Sequence, residues 1–560
     1  MSKIKWMYSL ILFYGFLFSQ LDINYSYELK YGTGKQVTDK KKSDYSYFEN
    51  LLDINTAYKN IYFYSQLEFS DPPVFGIIRT RLNQLVNRYS LEYETDKITL
   101  KLGDLDELYG RGLAYYSFAD QNVDYDNLLN GLSINYYFNE RLKLSTLWGK
   151  TQIDYRFSPI LRTSDMNLNT SALASSMTYE NDFFGFINYN YLNQDIILDP
   201  IKFKLFEQDV SSKKIFKDLD ERIFTDDLVY NAIDSYNQGI SINDTILIKN
   251  HNINWNFYIG NFDIYVDKAW LEYQKIYGDE IFGSRFYSSI YTDVFDIGIT
   301  YEYKSYNTPY LIKTLENPPI VYREGTSILA SRNAHAYNFG NEKGHQIDIN
   351  KNYNGINFAA NLSISSRQSE DDIIDYDYFK LLAMEEDSLL ALHRPFRQMY
   401  SEINGWLFSE KLYFKLASDY FVEFSDLYHT YALTLPTQWI YKRNNGTSFT
   451  MYLEIQNKLE KQFDKNFNQS SEKKYLNQYL SVSFNQKGKW IITSFFDIQR
   501  VNEKTTEYWP GLDLSYNINS TTQLSLFYGS QKGGLVCANG ICAEQPGFED
   551  GFKVTLRSIF

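Results

Sequence analysis

From Leu21 to Gly32 the chain alternates apolar and polar side chains without a fault. Leu21, Ile23, Tyr25, Tyr27, Leu29 and Tyr31 fall on one side; Asp22, Asn24, Ser26, Glu28, Lys30 and Gly32 fall on the other. A strand reverses side-chain direction at every residue, so the segment has one oily face and one wet face. The pattern returns in 297–303, 356–364 and 512–518. The chain also closes on it, Phe552, Val554, Leu556 and Phe560 alternating with Lys553, Thr555 and Arg557. Such stretches run about 9–11 residues, the length a tilted strand needs to cross hydrocarbon. The pattern predicts an all-β chain whose sheet closes on itself as a transmembrane barrel.

Composition agrees. Aromatic residues make up 18% of the 560, with 51 Tyr and 40 Phe, and hydrophobic residues reach 44%. Mean hydropathy is nevertheless −0.42. Apolar side chains diluted evenly by polar ones suit a barrel, where only alternate residues meet lipid; a helical membrane protein would gather them into runs of about 20. The one long apolar run, Trp6 to Phe18, follows Lys3 and Lys5. It reads as a secretory signal over residues 1–20, cut near Ser19 or Gln20, leaving 21–560 as an outer-membrane barrel with no plug domain ahead of its first strand. Net charge is −14, and −16 once the two leader lysines are removed. An acidic chain is not expected to bind nucleic acid, which wants a basic surface. Acidic residues on a lumenal wet face would favour cations, whereas hydrated acidic loops account for the same charge.

Connections sort by length. Tight polar turns are expected at 59–60, 95–97, 139–141, 180–182, 293–295, 352–354, 409–410, 486–488 and 519–521. Long segments lie between them at 32–47, 70–84, 105–130, 150–170, 193–235, 305–343, 366–398, 458–474 and 531–550. Short periplasmic turns alternating with long extracellular loops mark an outer-membrane barrel, here of about 24 antiparallel strands in a range of 22–26. The range reflects 236–273, where Asn243-Asp244 offers an extra turn. Residues 378–393 have the spacing of a short amphipathic helix and 201–230 are highly charged; each is either a lid or plain surface.

Few residues invite chemistry. Cys537 and Cys542 sit in GGLVCANGICAEQPG, and a close pair in an exported chain reads as a disulfide, since two ligands make a poor metal site. In 102–131 (LGDLDELYGRGLAYYSFADQNVDYDNLLNG), Gly110-Arg111-Gly112 would let the backbone bend inward and set Arg111 among Asp104, Asp106 and Glu107. These four either brace a loop or line a constriction in the lumen. Asp120, Asn122, Asp124 and Asp126 resemble the start of a calcium loop, but Tyr125 replaces its glycine and Gly131 its bidentate glutamate, so no metal site is assigned. The acidic loop Glu370, Asp371, Asp372, Asp375 and Asp377 is open to the same choice between a loose cation site and solvation. The five histidines, 251, 335, 345, 393 and 429, lie in no zinc or nucleophile motif. Neither catalytic residues nor a cofactor are expected. The aromatics serve either as interfacial girdles or as a ladder inside the pore.

The GRGL element, with Asp124-Tyr125-Asp126-Asn127 and Asn130-Gly131-Leu132 after it and GGLVCANGIC near the end, resembles an uncharacterised family of bacterial outer-membrane β-barrel proteins. That family has a Gly-Arg/Ser-Gly-Leu element after an early strand and a CxxxxC loop before the last. The likeness covers 90–160 and 530–560 most closely and implies a non-enzymatic outer-membrane barrel without a known substrate. The sequence thus points to a channel or loop-gated, porin-like passage. The alternatives are a plugged barrel that anchors partners through loops such as 305–343, and an outer-membrane hydrolase. Outer-membrane lipid is the expected surrounding, and the barrel-assembly machinery is expected to engage the C-terminal strand ending in Phe560.

Overall fold

A computed structural model describes residues 21–38, 41–74, 86–121, 123, 125–155, 166–198, 244–274, 280–308, 314–333, 335, 341–367, 396–425, 428–463, 469–538, 541–545 and 547–560. The leader assigned to residues 1–20, the charged stretch 201–230, the acidic loop 370–377 and the helical stretch 378–393 lie outside these residues, as do Asn122 and Asp124. Among the described residues there is no α-helix.

Twenty-four antiparallel strands form one sheet that closes on itself. The first strand, Leu21–Thr38, pairs with the second, Lys41–Tyr58, and also with the last, Gly547–Ile559. The seam places Leu29 opposite Leu556 and Tyr31 opposite Val554, oily residue facing oily residue. It is finished by reciprocal backbone bonds between Tyr25 and Phe560 (3.1 and 2.8 Å) and by stacking of their rings, 4.9 Å between centroids. Closure removes both edges of the sheet.

At the end that holds both termini, strands meet in tight turns close to the expected positions. Two turns were not anticipated, at 260–261 and 443–446. Asp244 opens the strand Asp244–Ile259, and Asn243, the other half of the possible extra turn, lies outside the described residues. The opposite end departs from the expected rule. Residues 32–47 form no long loop, since the first two strands stay paired from Leu21↔Tyr58 to Thr38↔Lys41. Residues 458–463 and 469–474 likewise belong to the strands Thr447–Phe463 and Gln469–Gln486. Alternation carried by Tyr, Ser, Thr and Lys sustains a ladder as well as alternation carried by aliphatic residues. Polar composition alone had marked these stretches as loops.

The two faces differ as an inside-out barrel requires. Ile253, Trp270 and Tyr189 point outward and stay exposed, whereas Asn190, Asn250, Asn252 and Asp267 point inward and are buried. The inward face is not uniformly wet, however. Leu147, Ala172, Ala174 and Leu192, on three neighbouring strands, build an apolar patch inside the barrel. The strict oily-out, polar-in division fails there because part of the chain packs against that patch.

Candidate functional site

Two segments from the loop end fold into the lumen and meet. The first, 105–129, follows the short strand Ile98–Leu105. Its Leu105, Tyr109, Ala114, Tyr115 and Leu129 sit on the apolar patch, and Leu113 enters a second cluster with Tyr265, Ala269, Tyr287, Tyr306 and Val321. The turn that delivers these side chains is Gly110-Arg111-Gly112, three successive residues with positive φ (59°, 44° and 89°). A Cβ on Gly110 would lie 2.7 Å from Asn252 Oδ1, and one on Gly112 would lie 2.2 Å from the carbonyl oxygen of Asn317. Glycine at these positions lets the turn touch the wall on one side and the second segment on the other.

Arg111 lies between those contacts and remains exposed. Its guanidinium lies 3.9 Å from the centroid of Tyr265 and its Nη1 donates to Tyr287 Oη at 3.2 Å. Tyr287 donates to Glu302, and Tyr265 donates to Asp267 at 2.9 Å. A cation over an aromatic face, backed by two carboxylates, is a firmly oriented positive charge in the lumen. The expected partners are different ones. Asp104 accepts from the backbone N–H of Tyr89 (2.9 Å) and from Asn130 Nδ2 (3.2 Å), Glu107 accepts from Ser133 Oγ (3.2 Å), and Asp106 is exposed. Arg111 is therefore not set among Asp104, Asp106 and Glu107. The three left-handed residues carry it across the lumen to the strands Phe262–Gln274 and Glu280–Val294.

The second segment, 314–335, runs along the inner wall. It starts apolar and buried: Leu315 joins the patch, and its carbonyl accepts from Tyr116 N–H at 2.7 Å, while Asn317 N–H donates to the Gly112 carbonyl at 3.1 Å. Glu316 pairs with Arg285 at 2.9 Å, both side chains buried. Tyr322 packs on Phe396, Phe421 and Ala432. Beyond it the contacts become polar. Arg323 N–H donates to Gln398 Oε1 (3.1 Å), while its guanidinium donates to Asp348 (3.3 Å) and lies 4.3 Å from the Tyr400 centroid. Thr326 donates to Asp419. Glu454 accepts from Ser327 Oγ and from the N–H groups of Ile328 and Leu329, each at 2.8 Å, and Gln456 donates to the Leu329 carbonyl at 3.0 Å. Arg332 spans both carboxylate oxygens of Asp497, Nη1 at 3.3 Å. Residues 323–333 thus form a strap tied to one carboxylate after another. The segment 305–343, considered above as an outward anchor, has its described loop residues inside the barrel.

Sequence reading missed this strap and its acidic wall. A signal was present: Asp419, Glu454 and Asp497 each sit in the middle of an otherwise oily run, and VYREGTSILASRN places apolar residues in a loop expected to face water.

His335 ends the segment. Its Nδ1 lies 2.7 Å from Glu423 and its Nε2 3.1 Å from Glu342, which also pairs with Lys304 at 2.9 Å. Burial acts to lower its pKa, but the two carboxylates prevail and raise it to about 9. Ser365 Oγ lies 3.4 Å from Nε2. Serine, histidine and glutamate thus meet in a row, with the imidazole held between two carboxylates.

Lumenal aromatics form a row as well. Tyr452, Tyr479, Phe495, Phe527, Phe548 and Tyr45 follow one another with centroids 5.8–6.4 Å apart. Phe527 and Phe548 are buried beneath Lys553. Aromatics therefore occur on both faces, exposed outside and packed inside. The backbone places Cys537 directly opposite Cys542 in a hairpin, the register a cross-strand disulfide requires.

A family model described as "Family of unknown function (DUF6029)" matches residues 10–194 and 260–560. No curated protein matches the chain. Among solved structures the chain is similar to the copper transporter OprC, with a TM-score of 0.43 and 9% identity over 97% of this chain and 80% of that one. It is also similar to the P pilus usher (PapC) translocation pore, with a TM-score of 0.40 and 8% identity over 96% and 99%. A third likeness is to Acinetobacter baumannii OccAB1, with a TM-score of 0.35 and 10% identity over 72% and 91%.

Proposed function

The chain belongs to the family of unknown function DUF6029, and from its own geometry we propose that it forms a loop-gated solute passage in the bacterial outer membrane. The outward Trp, Tyr, Ile and Leu side chains supply the apolar band and aromatic girdles that such a barrel presents to lipid. Insertion would proceed through the barrel-assembly machinery, with the strand ending in Phe560 as its handle. In this reading 105–129 is the fixed constriction, Arg111 is its charge, and 323–333 is the gate.

The observation that carries the reading is the change in chemistry along 314–335. The early part adds to its polar ties the dry apolar burial of Leu315 and Tyr322, which nothing in water replaces. Residues 323–333 are held by ion pairs and hydrogen bonds, and water entering an opened lumen satisfies both partners nearly as well. A permanent plug would not be expected to use such exchangeable fastenings over its whole working length. No hydrolytic step is assigned to the barrel. The CxxxxC pair is proposed to be a disulfide that pins the hairpin ahead of the last strand.

Liposome swelling tests the proposal. Wild-type protein should pass small neutral solutes slowly, and the doubly substituted Arg323→Gln/Arg332→Gln protein several-fold faster. Equal, negligible swelling by two heat-modifiable, correctly folded proteins would leave a plugged anchor instead.

A further inference from the structure

Residues 323–333 lie along the wall, with a turn closed by the Ser331 N–H on the Ser327 carbonyl (2.9 Å), and are bound as a ligand would be. Both guanidinium groups meet a carboxylate, Arg323 with Asp348 and Arg332 with Asp497, and Arg323 also stacks on Tyr400. Between them the main chain is recognised directly: the N–H groups of Ile328 and Leu329 bind Glu454, the Leu329 carbonyl binds Gln456, and the Arg323 N–H binds Gln398. Asp419, Glu454, Asp497, Gln398 and Gln456 are all nearly fully buried beneath the strap. Charge-assisted pairing at the two ends with main-chain bonds between them is how a protein surface can hold a basic peptide.

The fit is incomplete. Asn333, next to Arg332, is buried with neither amide atom hydrogen-bonded, and the hydroxyl of Tyr322, at the other end of the strap, is buried without a partner. Buried unsatisfied groups each cost about 1–3 kcal/mol and favour release over docking. When the strap leaves, its two arginines leave with it, and Asp348, Asp419, Glu454 and Asp497 lose the guanidinium, hydroxyl and main-chain partners it supplied.

We propose that this acidic inner wall is a binding site for peptides bearing guanidinium groups, and that 323–333 is a built-in competitor which such a peptide displaces. The inference rests on the gated-passage reading above and names its ligand class. A peptide with two arginines about nine residues apart would bridge Asp348 and Asp497 as the strap does. An acidic peptide would meet like charge along its whole length.

The test uses the full chain in detergent and a fluorescent synthetic peptide of sequence REGTSILASRN, the chain's own residues 323–333. Anisotropy titration should give saturable binding to the Arg323→Gln/Arg332→Gln protein, whose vacated wall accepts the peptide in trans. Replacing both peptide arginines with glutamine should weaken binding by about tenfold or more. Asp497→Asn together with Glu454→Gln in the wall should weaken it similarly. With unsubstituted protein in a planar bilayer, the same peptide should raise the open fraction. Binding that ignores the arginines, or no binding to a heat-modifiable protein, overturns the inference. If the doubly substituted protein still conducts in that case, the gate stands and only its ligand is wrong; if it does not conduct, both fail.

Discussion

The two inward segments occupy one lumen and touch each other, yet they are held by opposite means. Residues 105–129 bury Leu105, Tyr115 and Leu129 against a dry patch of Leu147, Ala172, Ala174 and Leu192, and Leu113 in a second apolar cluster. Residues 323–333 touch their wall through Asp348, Asp419, Glu454 and Asp497. Each buried leucine contributes about 1.5–3 kcal/mol that is lost only if water floods the site. A carboxylate–guanidinium pair in a desolvated site is close to neutral once the cost of stripping its water is counted. Position inside a barrel therefore does not decide whether a segment is a plug or a gate; the chemistry of its fastening does.

That contrast can be broken most forcefully at Leu113. Leu113→Asp puts an unpaired charge into the second cluster and should prevent recovery of a heat-modifiable barrel, whereas Leu113→Ala should cost about 2–5 kcal/mol in denaturant unfolding. A Leu113→Asp barrel as stable as wild type would mean that 105–129 is not fixed. Next in size, Arg323→Gln/Arg332→Gln should raise the open fraction by about tenfold, with water in the opened lumen solvating Asp348 and Asp497 in place of the lost pairs so that the barrel itself stays folded. A large stability loss with unchanged conductance would make the strap a second plug.

Arg111→Ala should act on permeation alone. Removing the charge held over Tyr265 should shift the reversal potential in a salt gradient toward cations by a few-fold in permeability ratio, in the strap-opened background. An unshifted potential would remove Arg111 from the constriction. The smallest effect concerns pH. His335 faces Glu342 and Glu423, with Lys304 on Glu342 and Tyr322 beside the ring. Its pKa is raised in the folded protein, so the stabilisation is complete below the ordinary histidine value of about 6.5 and is lost as pH climbs through about 9. The open fraction should stay level below about pH 6.5, rise modestly between there and about pH 9 and level off above, and His335→Gln should flatten that rise.

The fold was legible because alternation is a local property: Leu21–Gly32 and 552–557 state which face each residue takes before any partner is known. The strand total was legible for the same reason, although two turns, 260–261 and 443–446, escaped. Loop lengths were not, because Tyr45 and Tyr47 look like loop residues until Gly32 and Phe548 are seen against them. Of the site, Arg111 was legible through its flanking glycines, but its partners were not. Tyr265 and Tyr287 lie more than 150 residues away in sequence, and no local spacing encodes a contact across a lumen. The strap was hidden because its function depends on carboxylates spread over strands that only closure brings to one wall.

Single-channel recording of the purified protein in planar bilayers bears on the central claim most directly. The account predicts rare, brief openings for the unsubstituted protein and long-lived openings of the same conductance for Arg323→Gln/Arg332→Gln. Steady full conductance from the unsubstituted protein, or silence from both proteins when each is correctly folded, would contradict it.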